Sequence, residues 1–253
     1  MIARINGLVF DGGAGTDGFY VSEDGFTGWD STPDIRRDEA QKPLAAGSFD
    51  AVGYFSSRVI SISGLCFADS PEKLFYYQQR LSGLLAGPEP AHLVVDQAGL
   101  TTSASVRLAS KTQFQVTLWG VQASYQIQFW AADPRKYGES HTFTADPATP
   151  LVVSAWQYGN FAAYPVLTIT GSMPSYSVSS GGKTYQVNKS VTAGHPHQIF
   201  MDSGLLIVDG FPVYGVVEQA GIWAVPPGQT ISQTLAPSGG TGVMTVTVAD
   251  TYI

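Results

Sequence analysis

Between residues 124 and 129, apolar Tyr125, Ile127 and Phe129 alternate with polar Ser124, Gln126 and Gln128. A period of two sends alternate side chains to one face, so this stretch predicts a strand with one buried face. Asp133-Pro134 ends it, because proline has no N–H for a ladder and restricts the residue before it. Gly138 and the polar run to Pro150 predict a linker. The chain is therefore expected to form two domains, residues 1–138 and 139–253, with Asp133, Pro134, Tyr137 and Gly138 as the hinge.

Upstream, residues 2–10 alternate weakly and predict one strand. Residues 58–67 predict another, rich in β-branched side chains and including Cys66. A helix follows. Ser70 or Asp69 can cap it, Pro71 suits its first turn, and Glu72 complements the positive end of the dipole. Leu74, Tyr77, Leu81, Leu84 and Leu85 share one face at helical spacing, and Gly87-Pro88 is the expected stop. This leucine row faces a sheet or a neighbouring subunit. Strands at 92–96, 103–109 and 114–119 complete an α+β first domain.

Residues 29–57 have no regular periodicity, and so long a stretch without its own element is uncommon in a compact domain. It carries Trp29, Ile35, Leu44 and Phe49, which are costly to leave in water, among charges such as Arg36. Two readings stand: a mobile loop, or an arm ordered against a partner chain.

Downstream, strands recur at short intervals: 151–156, 165–170, 176–179, 183–187, 198–201, 205–208, 212–216, 228–235 and 243–248. Gly181-Gly182, Asp202-Ser-Gly204, Asp209-Gly210, Pro226-Pro227-Gly228 and Gly239-Gly240 punctuate them. Asp209-Gly210 between apolar runs is a hairpin signal. Many short strands without a helical pattern predict an antiparallel sandwich of the jelly-roll sort.

At 253 residues, with 44% hydrophobic and 13% charged, the chain is globular. A net charge of −7 argues against nucleic-acid binding as a main activity. One cysteine excludes an intrachain disulfide and a thiolate cage. No secretion signal or bilayer-spanning run is read, so a soluble protein made in a cytoplasm is expected. Gly13-x-Gly15-x-x-Gly18 matches the dinucleotide fingerprint, but strand-like Phe19-Tyr20-Val21 stands where a helix is needed. Residues 179–184 end like a phosphate loop, but Ser177 replaces the leading glycine and a strand follows. His195-Pro-His197 has no acidic or thiol partner at a recognisable spacing. Asp202, Asp209 and Glu218 form a glycosidase pair only if folding brings two of them to the required separation. No catalytic, cofactor or metal residue is assigned, and Cys66 reads as a buried hydrophobe.

Several local motifs, in order, resemble the distal tail protein (Dit) family of long-tailed bacteriophages. They are Arg58-Val-Ile-Ser-Ile-Ser-Gly64, then Phe129-Trp-Ala-Ala-Asp133-Pro134-Arg-Lys-Tyr137, then Gly159-Asn160-Phe-Ala-Ala-Tyr-Pro165-Val-Leu-Thr-Ile-Thr-Gly171. The resemblance implies a mainly β protein: a ring-forming, β-sandwich-like first domain with one helix and a long arm, then a galectin-like antiparallel sandwich. It further implies a non-enzymatic baseplate hub at the virion tail tip, assembled in the host cytoplasm as a homo-hexamer. Its partners would be the tail tube protein, the tail-tip hub protein and receptor-binding or fibre proteins, with DNA passing through the lumen and no membrane insertion. Residues 29–53 would form the belt, bringing Trp29, Ile35, Arg36, Leu44 and Phe49 to the next subunit. The galectin sugar motif, His-x-Asn-x-Arg followed by Trp and Glu-x-Arg, is absent, so the sandwich is expected to be scaffold. The alternative functions are a carbohydrate- or receptor-binding module and, less directly, a wall-degrading enzyme.

Overall fold

The structure, a computed structural model, describes residues 1–13, 17–118, 120–146 and 148–253, the Leu118 side chain excepted. It divides into two compact units, Met1–Lys136 and Tyr137–Tyr252.

The first unit contains β1 (Ile2–Ile5), β2 (Leu8–Asp11), β3 (Gly18–Thr27), β4 (Ile35–Arg36), β5 (Tyr54–Phe55) and β6 (Arg58–Phe67). After α1 (Pro71–Ser82) come β7 (Ala91–Gln97), β8 (Leu100–Leu108), β9 (Gln113–Leu118) and β10 (Gln122–Ala131). The strands neighbour one another in the order β8-β7-β1-β2-β3-β6-β10-β9. The far end of β10 also meets β8, pairing Phe129 with Leu108 and Trp130 with Arg107, so the sheet closes on itself. Closure through these two pairs covers part of the β8 edge, while among the described residues β9 stays at one end of the order with β10 as its one neighbour. All ring pairings are antiparallel except β2–β3, where Phe10 lies beside Phe19 and Asp11 beside Tyr20.

The alternation seen in sequence is what fills this barrel. Ile60, Ile62 and Cys66 from β6, with Tyr125, Ile127 and Phe129 from β10, all point into one core. Phe10, Phe19 and Tyr125 form an aromatic centre with ring centroids 5.2–5.7 Å apart. Residues 2–10 are a hairpin, not one strand. Asn6 and Gly7 have φ of 45° and 76°, which two-residue hairpin turns with the twist of the sheet require. In α1 the Ser70 hydroxyl accepts the Lys73 N–H at 3.3 Å, and Leu74 and Leu81 are buried in the unit's own core. The helix ends at Ser82, before the expected Gly87-Pro88. Leu84 and Leu85 continue the apolar row, but Leu85 has φ 57° and cannot extend a right-handed helix. Trp119, expected to end the β9 strand, lies outside the described residues.

The second unit contains β11 (Lys136–Thr144, whose first residue belongs to the first unit), β12 (Val152–Ala155), β13 (Val166–Ser172), β14 (Tyr176–Ser180), β15 (Lys183–Val187) and β16 (His197–Phe200). It continues through β17 (Leu205–Val208), β18 (Phe211–Pro212), β19 (Val217–Ala220), β20 (Ile231–Pro237) and β21 (Thr241–Tyr252). Two sheets, β18-β17-β16-β13-β21-β11 and β12-β20-β14-β15-β19, enclose one core that includes Leu167, Val178, Tyr185, Leu235 and Val246. Asp209 and Gly210 turn β17 into β18 with φ of 52° and 82°, and Gly181-Gly182 joins β14 to β15.

Two expectations are corrected here. The stretch after Gly138 is strand β11, not a linker. Its alternation is faint because Glu139, Ser140, Thr142 and Thr144 are polar. A Cβ at Gly138 would lie 3.1 Å from the Tyr252 ring and 3.3 Å from Asp250 Cβ, so glycine here marks a close approach. The expected strand at 212–216 does not form: residues 213–216 lie between two short strands, Phe211–Pro212, which pairs with β17, and Val217–Ala220, which pairs with β15.

Candidate assembly arm

Between β3 and β6 the chain leaves the barrel and returns. At its root, Gly28 has φ 81°, and a Cβ there would fall 1.9 Å from the Val59 carbonyl oxygen. No other residue fits so close to the neighbouring strand. Trp29 then turns inward and is 2% exposed, tilted against Phe26 with centroids 6.2 Å apart. This corrects the expectation that Trp29 belongs to the arm. The polar residues around it gave no hint of burial, because the core it joins is built by distant strands.

The carbonyls that follow curl around a buried cation. Arg58, 1% exposed, donates from Nη1 to the carbonyls of Gly28 (2.6 Å), Trp29 (2.9 Å) and Ser31 (2.7 Å), and from Nε to that of Pro134 (2.9 Å). Lys136 donates to the same Trp29 carbonyl at 2.7 Å, and its Nζ stands 5.6 Å from the Trp29 ring centre. Burial lowers the pKa of both groups, and the Arg58 charge lowers that of Lys136 further.

Beyond buried Pro33, residues 34–50 are all exposed. They are not irregular, as the sequence led one to expect, but fold back on themselves as a thin ribbon. Ile35 pairs with Phe55 and Arg36 with Tyr54, and the Ser56 N–H reaches the Asp34 carbonyl at 2.7 Å. Further out, Gln41 bridges to Ser48, Lys42 N–H donates to Gly47 O (3.1 Å), and Phe49 N–H donates to Ala40 O (2.9 Å). Pairings of two residues are too short to leave a periodic pattern in the sequence. Ile35 (58% exposed), Leu44 (100%) and Phe49 (58%) present apolar surface along it, with exposed Arg36 between. Val52 and Tyr54, passed over in the sequence, add to this surface. A two-stranded ribbon is marginal in water on its own.

The proposed hinge residues are tied in. Asp133 accepts three bonds from Arg135: from Nε at 2.8 Å, from Nη2 at 2.9 Å and from the backbone N–H at 3.1 Å. Pro134 gives its carbonyl to Arg58, Tyr137 opens the second unit, and Gly138 lies within β11.

The other candidate chemistries disperse. Gly15 lies outside the described residues, and strand β3 follows the loop. Residues 179–184 contain the β14–β15 hairpin turn. His195 does meet a carboxylate, Asp209 at 2.7 Å, which spacing alone had not revealed, whereas His197 is buried with Nδ1 3.1 Å from the Tyr176 hydroxyl. Glu218 accepts from Gln186 (2.6 Å) and Asn188 (2.9 Å) on the other sheet, away from Asp209 in the β17–β18 turn. Trp223 is buried and donates its indole N–H to Gln233 at 3.0 Å, so its ring is not presented to a sugar. Among the described residues no group of three or more His, Cys, Asp or Glu could hold a metal. No helix among them is long and apolar enough to cross a membrane.

Cys66 lies in the barrel core, where burial pushes its thiol up to about 12. At about pH 8 the thiolate is therefore scarce, and the folded protein is expected to resist iodoacetamide while the denatured chain is modified fully. Rapid native alkylation, read by intact mass, would contradict this placement.

No family model and no curated protein matches the sequence. Solved structures do match it. The Dit protein (gp 19.1) of phage SPP1, described as a paradigm of the hub adsorption apparatus in Gram-positive infecting phages, superposes with a TM-score of 0.71 at 14% identity, covering 91% of this chain and 95% of that one. Chains of the phage P2 baseplate in its activated conformation, with Ca and with Sr, give TM-scores of 0.52 and 0.50 at 12% identity, covering 97% of each chain. Over 91% of its length, then, this chain has a Dit-like fold.

Proposed function

We propose that this protein is a structural hub of a bacteriophage tail tip and not an enzyme. It assembles as a hexameric ring that joins the tail tube to the adsorption device, with its lumen open to DNA. The observation that carries this reading is the ribbon at residues 34–50, which leaves Ile35, Leu44 and Phe49 in solvent on the single chain. Burying a large apolar side chain stabilises by about 1.5–3 kcal/mol, so this surface favours a partner strongly. A ring needs a heterologous contact, one patch meeting a different patch on the next copy, and an arm that reaches out of its own fold supplies one. The Dit-like fold supports the same role. In this reading the first unit forms the ring against the tail tube and tail-tip hub protein. The second unit, a galectin-like sandwich, offers its outer surface to receptor-binding or fibre proteins. The acidic balance of −7 suits a lumen that must not retain DNA.

Native mass spectrometry and negative-stain imaging of concentrated protein are expected to show six-membered rings. A strict monomer at every concentration would remove the hub reading.

A further inference from the structure

The root of the arm holds two buried cations, while the buried polar residues described in the first unit include no carboxylate. The acidic group that acts on both is Asp30, which is exposed and accepts a bond from Gln97 at 3.1 Å. Arg58 Nη2 is buried and makes no hydrogen bond to the described residues. Such an arrangement is a poor way to add stability. Desolvating two like charges is costly, and apolar side chains of similar volume would fill the space at least as well. What the cations do supply is direction. One guanidinium gathers the carbonyls of Gly28, Trp29 and Ser31 on one side and that of Pro134 on the other. Lys136 fastens the Trp29 carbonyl a second time. Charge-assisted bonds of this kind are stronger than neutral ones, and the planar fork of arginine fixes their angles.

We propose that Arg58 and Lys136 form a clasp that sets the direction in which the arm leaves the barrel, by locking the arm root to the last residues of the first unit. Gly28 makes the clasp possible, since only a residue without Cβ lets this carbonyl turn toward Arg58 beside the Val59 backbone. The clasp is a property of the single chain. Its importance for assembly rests on the arm reading above.

Hydrogen exchange of the dilute full-length chain tests it. In Arg58→Met, exchange is expected to accelerate about tenfold in peptides spanning residues 26–36 and 54–57, with β7, β8 and the second unit unchanged. Lys136→Met should accelerate the same peptides less, and Arg58→Lys should restore part of the protection. Equal acceleration across the whole barrel, or none at the root, would overturn the clasp. If Arg58→Met does not fold, Lys136→Met decides alone: local acceleration supports the clasp and its absence ends it. Ring formation by the same variants is scored separately. A loosened root in chains that still assemble normally supports the clasp and counts against the arm as the assembly element.

Discussion

Removal of residues 34–47 is expected to abolish ring formation while leaving both units folded. The deleted residues are exposed throughout, so their loss removes almost no core. Substitutions at such positions usually change stability by no more than about 0.5 kcal/mol, and a ribbon excision should stay near that scale. What disappears is adhesive surface. Ile35 and Leu44 go outright, and Phe49 loses the Ala40 carbonyl that holds its N–H in the ribbon. Three large apolar anchors at one interface represent on the order of 5–9 kcal/mol before the ordering costs of association are subtracted. Loss of most of that should shift dissociation by several orders of magnitude, from rings to monomers at micromolar concentration. Sedimentation and calorimetry on the truncated chain provide the check. Rings of normal size with unchanged melting would show that the arm is dispensable.

The second large effect is expected at Gly64. A Cβ there would sit 1.9 Å from the Tyr20 carbonyl oxygen and 2.9 Å from the Ser22 nitrogen. Both are backbone atoms of β3 where its pairing with β6 shifts between Val21 and Phe26, so no side chain can swing aside. Gly64→Ala must push the two strands apart in the wall of a closed barrel. The cost should reach at least about 3 kcal/mol, as for severe overpacking. For a unit of this size that lowers the melting temperature by about 10 °C. The second unit has its own core, so a separate transition at the wild-type temperature should remain in differential scanning calorimetry. A shift of only a degree or two would mean that β3 does not cross β6 at this position.

Much of the barrel and sandwich could be read from the chain because one physical signal, the period-two alternation, survives wherever a strand has one wet and one dry face. β6, β10, β13 and β14 are of this kind, with burial alternating along each. Turn residues were legible for a separate reason: Asp209-Gly210 and Gly181-Gly182 take positive φ, which few other residues tolerate. The signal fails where polar residues dominate both faces, as in β11. It fails again where an apolar row outlasts its helix, as at Leu84 and Leu85. The arm was located by its lack of periodicity, but its ribbon pairing and the inward turn of Trp29 depend on residues far away in sequence. Arg58 illustrates the limit best. It could be quoted as part of a family-like motif, yet its burial in a cage of four carbonyls joins residues 28–31 to residue 134, and no local pattern encodes that.

The lone parallel pairing in the barrel has a consequence for how this fold can vary. Counting once around the closed ring β1-β2-β3-β6-β10-β8-β7, the strand direction reverses at six junctions and is preserved at one. A closed circuit must arrive back with the orientation it started from, so reversals come in even numbers. With seven members, one same-sense seam is therefore a matter of parity and not of local preference. The connection from Asp11 to Gly18 can never shrink to a two-residue turn like Asn6-Gly7, and gaining or losing a single member would force the seam to vanish or a new one to open.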